Sequence, residues 1–323
     1  MLPLRPHECR KRSPPMTDAR AGFCAIVGLP NVGKSTLLNR ILGRRLVAVS
    51  SKPQTTRDRI LGVHTLEVDG APAQIAYVDT PGVQAGHGPL RRYMRDAALA
   101  AAADADVVLM LIDATWRDGR MPDRFGEPDA LALREASKAH PMIIALNKID
   151  RVEKPELLPI IEAWGAAMPG LDIVPISAAT GDGVDALEQV IARALPVGPL
   201  LFPAETVTDR SPQFIAQEII REQLYHQLGK ELPYASAVLV EQWTERKGEL
   251  VIGAVIVVER ASQKPIVVGR AGSRIKELGI AARIALAEAL GKPVHLSLFV
   301  KVQEEWSRTE AELKKLGYAG DAK

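Results

Sequence analysis

The sequence predicts an α/β domain built on a mostly parallel sheet, followed by a smaller α+β domain. Three observations carry this reading. Short apolar runs alternate with helical ones from Ala21 to about Leu195, the pattern of a sheet covered by helices on both faces. The alternation stops at 196–212, a proline-rich stretch without periodicity that reads as a linker. Beyond it the order changes to helix (213–229), strand (235–243), strand (250–259), helix (273–290), strand (294–302) and a short helix (304–316). The expected boundaries are a tail at 1–20, a first domain at 21–196, a linker at 197–212 and a second domain at 213–323.

In the first domain the runs GFCAIVG (22–28), AQIAYVD (73–79), DVVLMLID (106–113), MIIALN (142–147) and DIVPIS (172–177) read as buried strands, with a further strand at 59–68. The stretches KSTLLNRILG and ALEQVIARAL read as helices. Aromatic residues make up only 4% of the chain, so Ala, Val, Leu and Ile must build the core. A net charge of +2 decides nothing about nucleic acid, and any such argument has to rest on local charge. Two cysteines, Cys9 and Cys24, make no disulfide framework and suit a reduced cytoplasmic chain. No apolar run approaches the ~20 residues that span a bilayer. Residues 1–20 hold four Pro and five Arg or Lys without an apolar stretch. This excludes a secretory signal. The basic stretch leaves an organellar transit peptide open, but without the Ser content or amphipathic pattern of one it reads as a disordered tail, with Met1 and Met16 both open as starts.

Ligands of such sheets sit beyond the carboxyl ends of the strands, and the chain's motifs fall there. Gly28, Leu29, Pro30, Asn31, Val32, Gly33, Lys34 and Ser35, with Thr36 behind them, form a phosphate-loop pattern between a strand and a helix. Glycines let backbone N–H groups curl around phosphates, and the helix N-terminus adds partial positive charge. Lys34 is expected to reach the β- and γ-phosphates as a catalytic group, and the Ser35 hydroxyl to ligate Mg²⁺. Asp79, Thr80, Pro81 and Gly82 follow the next strand, placing Asp79 near the metal and the Gly82 N–H near the γ-phosphate. Asn147, Lys148, Ile149 and Asp150 follow the 142–147 strand and select the base. A fixed Asp150 carboxylate accepts from guanine N1–H and the 2-amino group, which adenine lacks, so discrimination can reach about 10⁴. Ser177 and Ala178 add a backbone contact to guanine O6. Taken in order, these motifs predict GTP and GDP as ligands, with Mg²⁺.

The loop 50–58, SSKPQTTRD, should be the first switch segment, with Thr56 closing on Mg²⁺ as metal ligand and catalytic group. Thr55 is adjacent, and spacing does not separate the two. Val83 stands where many GTPases carry a water-orienting Gln, so intrinsic turnover should be slow unless another group, such as Gln84, turns inward. Asn31 together with the missing Gln resembles GTPases in which K⁺ helps neutralise transition-state charge.

At this point the residues resemble a known family. GLPNVGKSTLLNRILG, KPQTTRDRI, DTPG, NKID and PISA are similar to the GTPase domain of the Era proteins. IVVGRAGSRIKELG and LFVKVQEEW are similar to their type II KH domain, so the likeness runs from about Ala21 to Trp306. The residues support RNA independently. The loop Gly269, Arg270, Ala271, Gly272 precedes a helix, where KH folds approach the backbone of about four single-stranded nucleotides. From Arg260 to Lys276 there are Arg260, Lys264, Arg270, Arg274 and Lys276 and no acidic residue. The resemblance implies a factor for small ribosomal subunit assembly that binds the 3′ end of small-subunit ribosomal RNA. It also implies a cytoplasmic monomer with peripheral association with the inner membrane. Rival readings are a tRNA-modification GTPase, for which no cofactor-binding or catalytic-Cys segment is visible, and a membrane-associated signalling GTPase, for which no lipidation signal is. Phe214, Ile215, Ile219, Ile220, Leu224 and Leu228 recur at helical spacing as a core face. Trp243 and Trp306 read as packing residues, and the six His show no metal-ligand spacing.

Overall fold

The computed structural model describes residues 19–50, 52, 55–82, 89–116, 139–229, 232–316 and 318. In the first domain these form β1 (Arg20–Val27), α1 (Lys34–Ile41), β2 (Ile60–Val68), β3 (Ala71–Asp79), α2 (Pro89–Asp104) and β4 (Val107–Asp113). β5 (Met142–Asn147), α3 (Lys154–Ala167), β6 (Asp172–Pro175) and α4 (Val184–Ala194) complete it. The sheet order is β2-β3-β1-β4-β5-β6, with β2 antiparallel to β3 and every other pair parallel. Alternation along each strand feeds two cores. Leu109 of β4 packs with Leu37 and Leu38 of α1 and Leu187 and Ile191 of α4. Its neighbours Val108 and Met110 face Ala98, Ala101 and Ala102 of α2 and Trp164 of α3. Burial on both faces is why β4 reads VVLMLID, continuously apolar, rather than alternating.

Of the tail expected at 1–20, residues 1–18 lie outside the described residues, and Arg20 departs from it. Arg20 belongs to β1, paired with Ala73, and its Nη1 donates to the Leu195 carbonyl at 2.6 Å. Strand pairing uses backbone groups, so a charged side chain at a strand end does not prevent it.

The second domain contains α5 (Pro212–Gln227), β7 (Ser236–Arg246), β8 (Glu249–Val258), α6 (Lys264–Val268), α7 (Ser273–Leu290), β9 (Val294–Val302) and α8 (Glu310–Lys315). β7 and β8 are antiparallel, and α6 and α7 form the crossover that brings β9 back parallel to β8. Ser211 caps α5 by accepting from the Phe214 N–H. Ile219, Ile220, Leu224 and Leu228 are buried against α7 and the sheet. Phe214 and Ile215 are half-buried and reach the core of the first domain as well. The apolar run 266–268 belongs to the short helix α6, and the last helix is confined to Glu310–Lys315 after a turn at 304–308.

The stretch between the domains is strapped to the first one. Val63 N–H donates to Val207 O at 2.8 Å, Thr208 Oγ1 to Leu61 O at 2.6 Å, and Leu201 and Phe202 N–H to Gln74 Oε1 at 2.8 Å. A further apolar cluster joins the domains directly, with Leu90 and Met94 of α2 packed with Ala237, Val255, Val257, Trp306, Leu316 and Tyr318. Trp306 is fully buried there with Tyr318 stacked on it at 5.9 Å, a packing role. Among the described residues no helix is long and apolar enough to cross a membrane.

Candidate functional site

β1 ends at Val27, and the chain turns through Gly28 at φ 148°, where a side chain would fall 2.6 Å from the Leu111 carbonyl. Asn31 and Gly33 also take positive φ, and a Cβ on Gly33 would meet Asn147 Nδ2 at 2.3 Å. The loop is thus shaped by close approach as well as by backbone freedom. Helix α1 begins at Lys34 and aims its N-terminus into the loop. Lys34 is buried, and its Nζ donates to the carbonyls of Gly28 at 3.1 Å and Leu29 at 3.0 Å. Val32 packs into the core, and Thr36 lines the cavity.

Three oxygens from three segments meet beside the loop. Ser35 Oγ lies 2.7 Å from Thr56 Oγ1 and donates to Asp79 Oδ2 at 2.8 Å, while Thr56 Oγ1 stands 3.5 Å from that same atom. Asp79 is fully buried, and its Oδ1 has no hydrogen-bond partner. Burial pushes its carboxyl up to about 6 and the Lys34 ammonium down to about 8. An orphaned carboxylate oxygen beside two hydroxyls suits a hard divalent cation, and a buried ammonium at a helix N-terminus suits phosphate. The residues therefore fit Mg²⁺ with a nucleotide polyphosphate. Thr55 turns elsewhere: its Oγ1 donates to Lys52 O at 2.7 Å and meets Ser50 Oγ at 2.8 Å. The structure thereby separates the two threonines that spacing left equivalent.

Thr80 Oγ1 donates to the Ile26 carbonyl at 2.7 Å, Pro81 is buried, and a Cβ on Gly82 would approach Pro30 Cα at 2.9 Å. The Asp79–Gly82 turn is thus locked against the phosphate loop. Val83 and Gln84 lie outside the described residues, as do residues 51, 53 and 54 of the switch segment.

Asn147 ties the base motif to the loop. Its Nδ2 donates to Val32 O at 2.7 Å, and its Oδ1 accepts from Ala178 N–H at 2.9 Å. Asp150 is oriented by Ser177, whose Oγ donates to Asp150 Oδ1 at 2.6 Å, and Ile149 N–H donates to Ile176 O at 3.3 Å. Lys148 adopts φ 69°, and its Nζ donates to Asn31 O at 2.7 Å and Asp113 Oδ2 at 2.6 Å. Asp113 was missed in the sequence, although it ends β4 as Asp79 ends β3. The phosphate loop, the switch segment, the turn at Gly82 and the loop at Lys148 border one cavity of about 400 Å³, whose walls include Asn31, Lys34, Ser35, Thr56, Gly82 and Lys148. Asp150 is exposed beside it.

The second candidate site is open. Gly269 and Gly272 take φ 76° and 78°, and Ala271 between them takes φ 50°. Gly269 is needed sterically, since its Cβ would meet Arg274 N at 2.8 Å, whereas nothing lies within 4 Å of one on Gly272. Arg260, Lys264, Arg270, Ala271, Arg274 and Lys276 are all exposed, and Arg274 Nη1 donates back to Ile266 O at 2.9 Å. Gly272 caps the eighteen-residue helix α7, whose N-terminus faces the loop. One and two turns beyond Lys276, Ile280 and Ile284 are 46% and 56% exposed, an apolar stripe continuing the basic one. Sequence reasoning missed it because an apolar residue in an amphipathic helix reads first as core.

Comparison with known proteins finds matches to both domains. A family model described as 50S ribosome-binding GTPase matches residues 23–148, and a KH domain model matches 231–307. GTPase Era of Geobacter metallireducens is 46% identical over 301 residues, covering 93% of this chain and 98% of that protein. GTPase Era of a Pseudomonas fluorescens strain is 45% identical, covering 94% and 99%. Among solved structures, an Era variant from Aquifex aeolicus bound to GDP and AlF4⁻ superposes with a TM-score of 0.84 at 38% identity, covering 93% of this chain and all of that one. Era in complex with MgGDPNP and nucleotides 1506–1542 of 16S ribosomal RNA superposes equally well, with a TM-score of 0.84 at 38% identity, 94% of this chain and all of that one.

Proposed function

The chain belongs to the Era family, a GTP-hydrolysing enzyme with a KH domain behind its nucleotide site, and on that premise we propose that it acts in assembly of the small ribosomal subunit. The second domain would hold the 3′ end of small-subunit ribosomal RNA while GTP occupies the cavity of the first. The observation that carries this reading is the relative solved with both a guanine nucleotide and a 16S segment. This chain supplies chemistry for each. Exposed Arg270, Lys264 and Lys276 suit phosphates, and the neighbouring Ile280 and Ile284 suit unstacked bases.

In the nucleotide cavity Ser35, Thr56 and Asp79 would hold Mg²⁺, which when bound neutralises charge on the phosphate oxygens. Lys34 would meet the β- and γ-phosphates, the Gly82 N–H the γ-phosphate, and Asp150 the guanine edge. We include a K⁺ dependence in this reading, because Asn31 sits in the phosphate loop and Val83 cannot orient water. Equal hydrolysis rates in K⁺ and Na⁺ buffers of matched ionic strength would remove it. The setting we propose is a monomer in the cytoplasm, with peripheral contact to the inner membrane.

The test is to crosslink the GTP-bound protein to RNA in cells and sequence the fragments. Enrichment of the small-subunit ribosomal RNA 3′ end is expected. Enrichment of tRNA would favour a modification GTPase, and recovery of no RNA would favour a signalling role at the membrane.

A further inference from the structure

Three consecutive residues of the loop after α1 reach three different parts of the molecule. Thr56 points to Ser35 and Asp79 in the nucleotide site. Asp58 Oδ1 accepts from Tyr93 of α2 at 2.6 Å. Between them Arg57 is inserted into the second domain and only 1% exposed. Its Nη1 donates to Ser236 O at 2.9 Å and Tyr318 Oη at 3.3 Å. Its Nη2 donates to Pro233 O at 3.0 Å, and to Tyr225 Oη and Tyr234 O at 3.2 Å. The Trp306 and Tyr318 rings face the guanidinium at 5.6 Å from their centroids.

None of these partners is a carboxylate. A buried cation without a counter-charge is tolerable only where dipoles and ring faces surround it. Outside this cage a buried Arg57 would lose those partners, so the cage fixes its backbone position strongly. Neighbouring contacts act in the same sense. Arg221 of α5, paired with Glu218, donates to the Thr55 carbonyl, and Lys52 donates to the carbonyls of Tyr225 and Leu228. The loop bearing the metal-facing Thr56 is therefore held on its far side by the second domain.

We propose that Arg57 is a positioning residue for the GTP-bound site: the second domain, by caging it, holds Thr56 over the metal site. The inference rests on Thr56 being the group that closes on the GTP-bound metal. Thr56 and Arg57 are joined by one peptide bond and reach different partners, Asp79 on one hand and the second domain on the other, so holding Arg57 restrains Thr56. The RNA-binding domain is in this way part of the switch apparatus.

The test uses the full chain with Thr56→Ala, Arg57→Ala, the double variant, and Tyr225→Phe/Tyr318→Phe. The readouts are affinities for a non-hydrolysable GTP analogue and for GDP, both with Mg²⁺, and amide hydrogen exchange across residues 55–60. Arg57→Ala should weaken the GTP analogue about tenfold, as loss of an outer-shell support does, leave GDP within about twofold, and speed exchange of the segment. Thr56→Ala should give a similar loss, and the double variant no more than Thr56→Ala alone. Equal weakening of both nucleotides by Arg57→Ala, or an additive double variant, would mean a structural role only and overturn the proposal. An unchanged nucleotide preference in Thr56→Ala would instead overturn the reading of Thr56. Should Arg57→Ala fail to fold, the Tyr double variant decides. A loss of about threefold confined to the GTP analogue, the scale of a lost hydrogen bond, is expected, and no change in preference refutes the cage.

Discussion

Two glycine loops in this molecule stand before helix N-termini, and they are built in opposite ways. The phosphate loop is enclosed: Gly28 lies against the Leu111 carbonyl, Gly33 against Asn147, and Gly82 against Pro30. Asn147, Lys148 and Ala178 lace it to two other strands. The Gly269–Gly272 loop is open, with Arg270 and Ala271 exposed and its contacts confined to its own helices. Similar local backbone chemistry thus yields an enclosed phosphate loop and an open surface loop. Desolvation makes the difference. In the enclosed site a single unpaired polar group is costly, so small ligand differences are felt strongly. On the open loop, charge interactions are screened by salt and spread over several contacts.

The sharpest break of the comparison is Lys34→Ala. Removing the buried ammonium should lower GTP turnover by roughly 10³-fold, the scale of a lost transition-state donor, and leave RNA affinity of the same preparation intact. Single-turnover hydrolysis and RNA filter binding check the two halves, and a parallel loss of RNA binding would show the sites are not separable. Next in size, Asp150→Asn should weaken GTP by about 10²-fold and raise the relative affinity for the xanthine nucleotide, since Asp150 is exposed in the free protein and a bound base would cover a mismatched polar pair there. Calorimetry with both nucleotides decides it.

On the open side, Arg270→Asp with Ala271→Asp should weaken a single-stranded ribosomal 3′-end oligonucleotide about tenfold or more at physiological salt and flatten its salt dependence. Asp tolerates the positive φ of Ala271 better than most residues, so the change is one of charge. GTP affinity should stay the same, and unaltered RNA binding would reduce the loop to a turn. The smallest effect concerns the glycines themselves. Gly272→Ala meets no neighbour within 4 Å and should cost only the positive-φ strain, about 1 kcal/mol, read as a fall in Tm of about 2 °C. Gly33→Ala adds the collision with Asn147 and should cost more. Equal costs would mean that the enclosure of the phosphate loop is looser than its geometry.

The sequence by itself determined most of the architecture, because local periodicity and short loops encode it. The 142–147 run is strand β5 residue for residue, and 273–290 is helix α7. The nucleotide motifs were equally legible, since each occupies a contiguous stretch at a strand's carboxyl end, where main-chain geometry does the work. What the tertiary structure decided were relations between distant segments. Spacing could not tell Thr55 from Thr56; the packing of the loop against α5 turned one to Ser50 and the other to Asp79. Asp113 gained its meaning only when β4 and β5 aligned it with Lys148. That Ile280 and Ile284 face outward was settled only when α7 docked with Leu278, Ala282 and Leu286 inward. Arg57 is a loop charge and yet among the most buried side chains, because its partners are chiefly backbone carbonyls from residues 233–236, rings and phenols. A carbonyl has no residue identity, so no sequence pattern can announce a cage built from carbonyls; only the docking of two domains creates one.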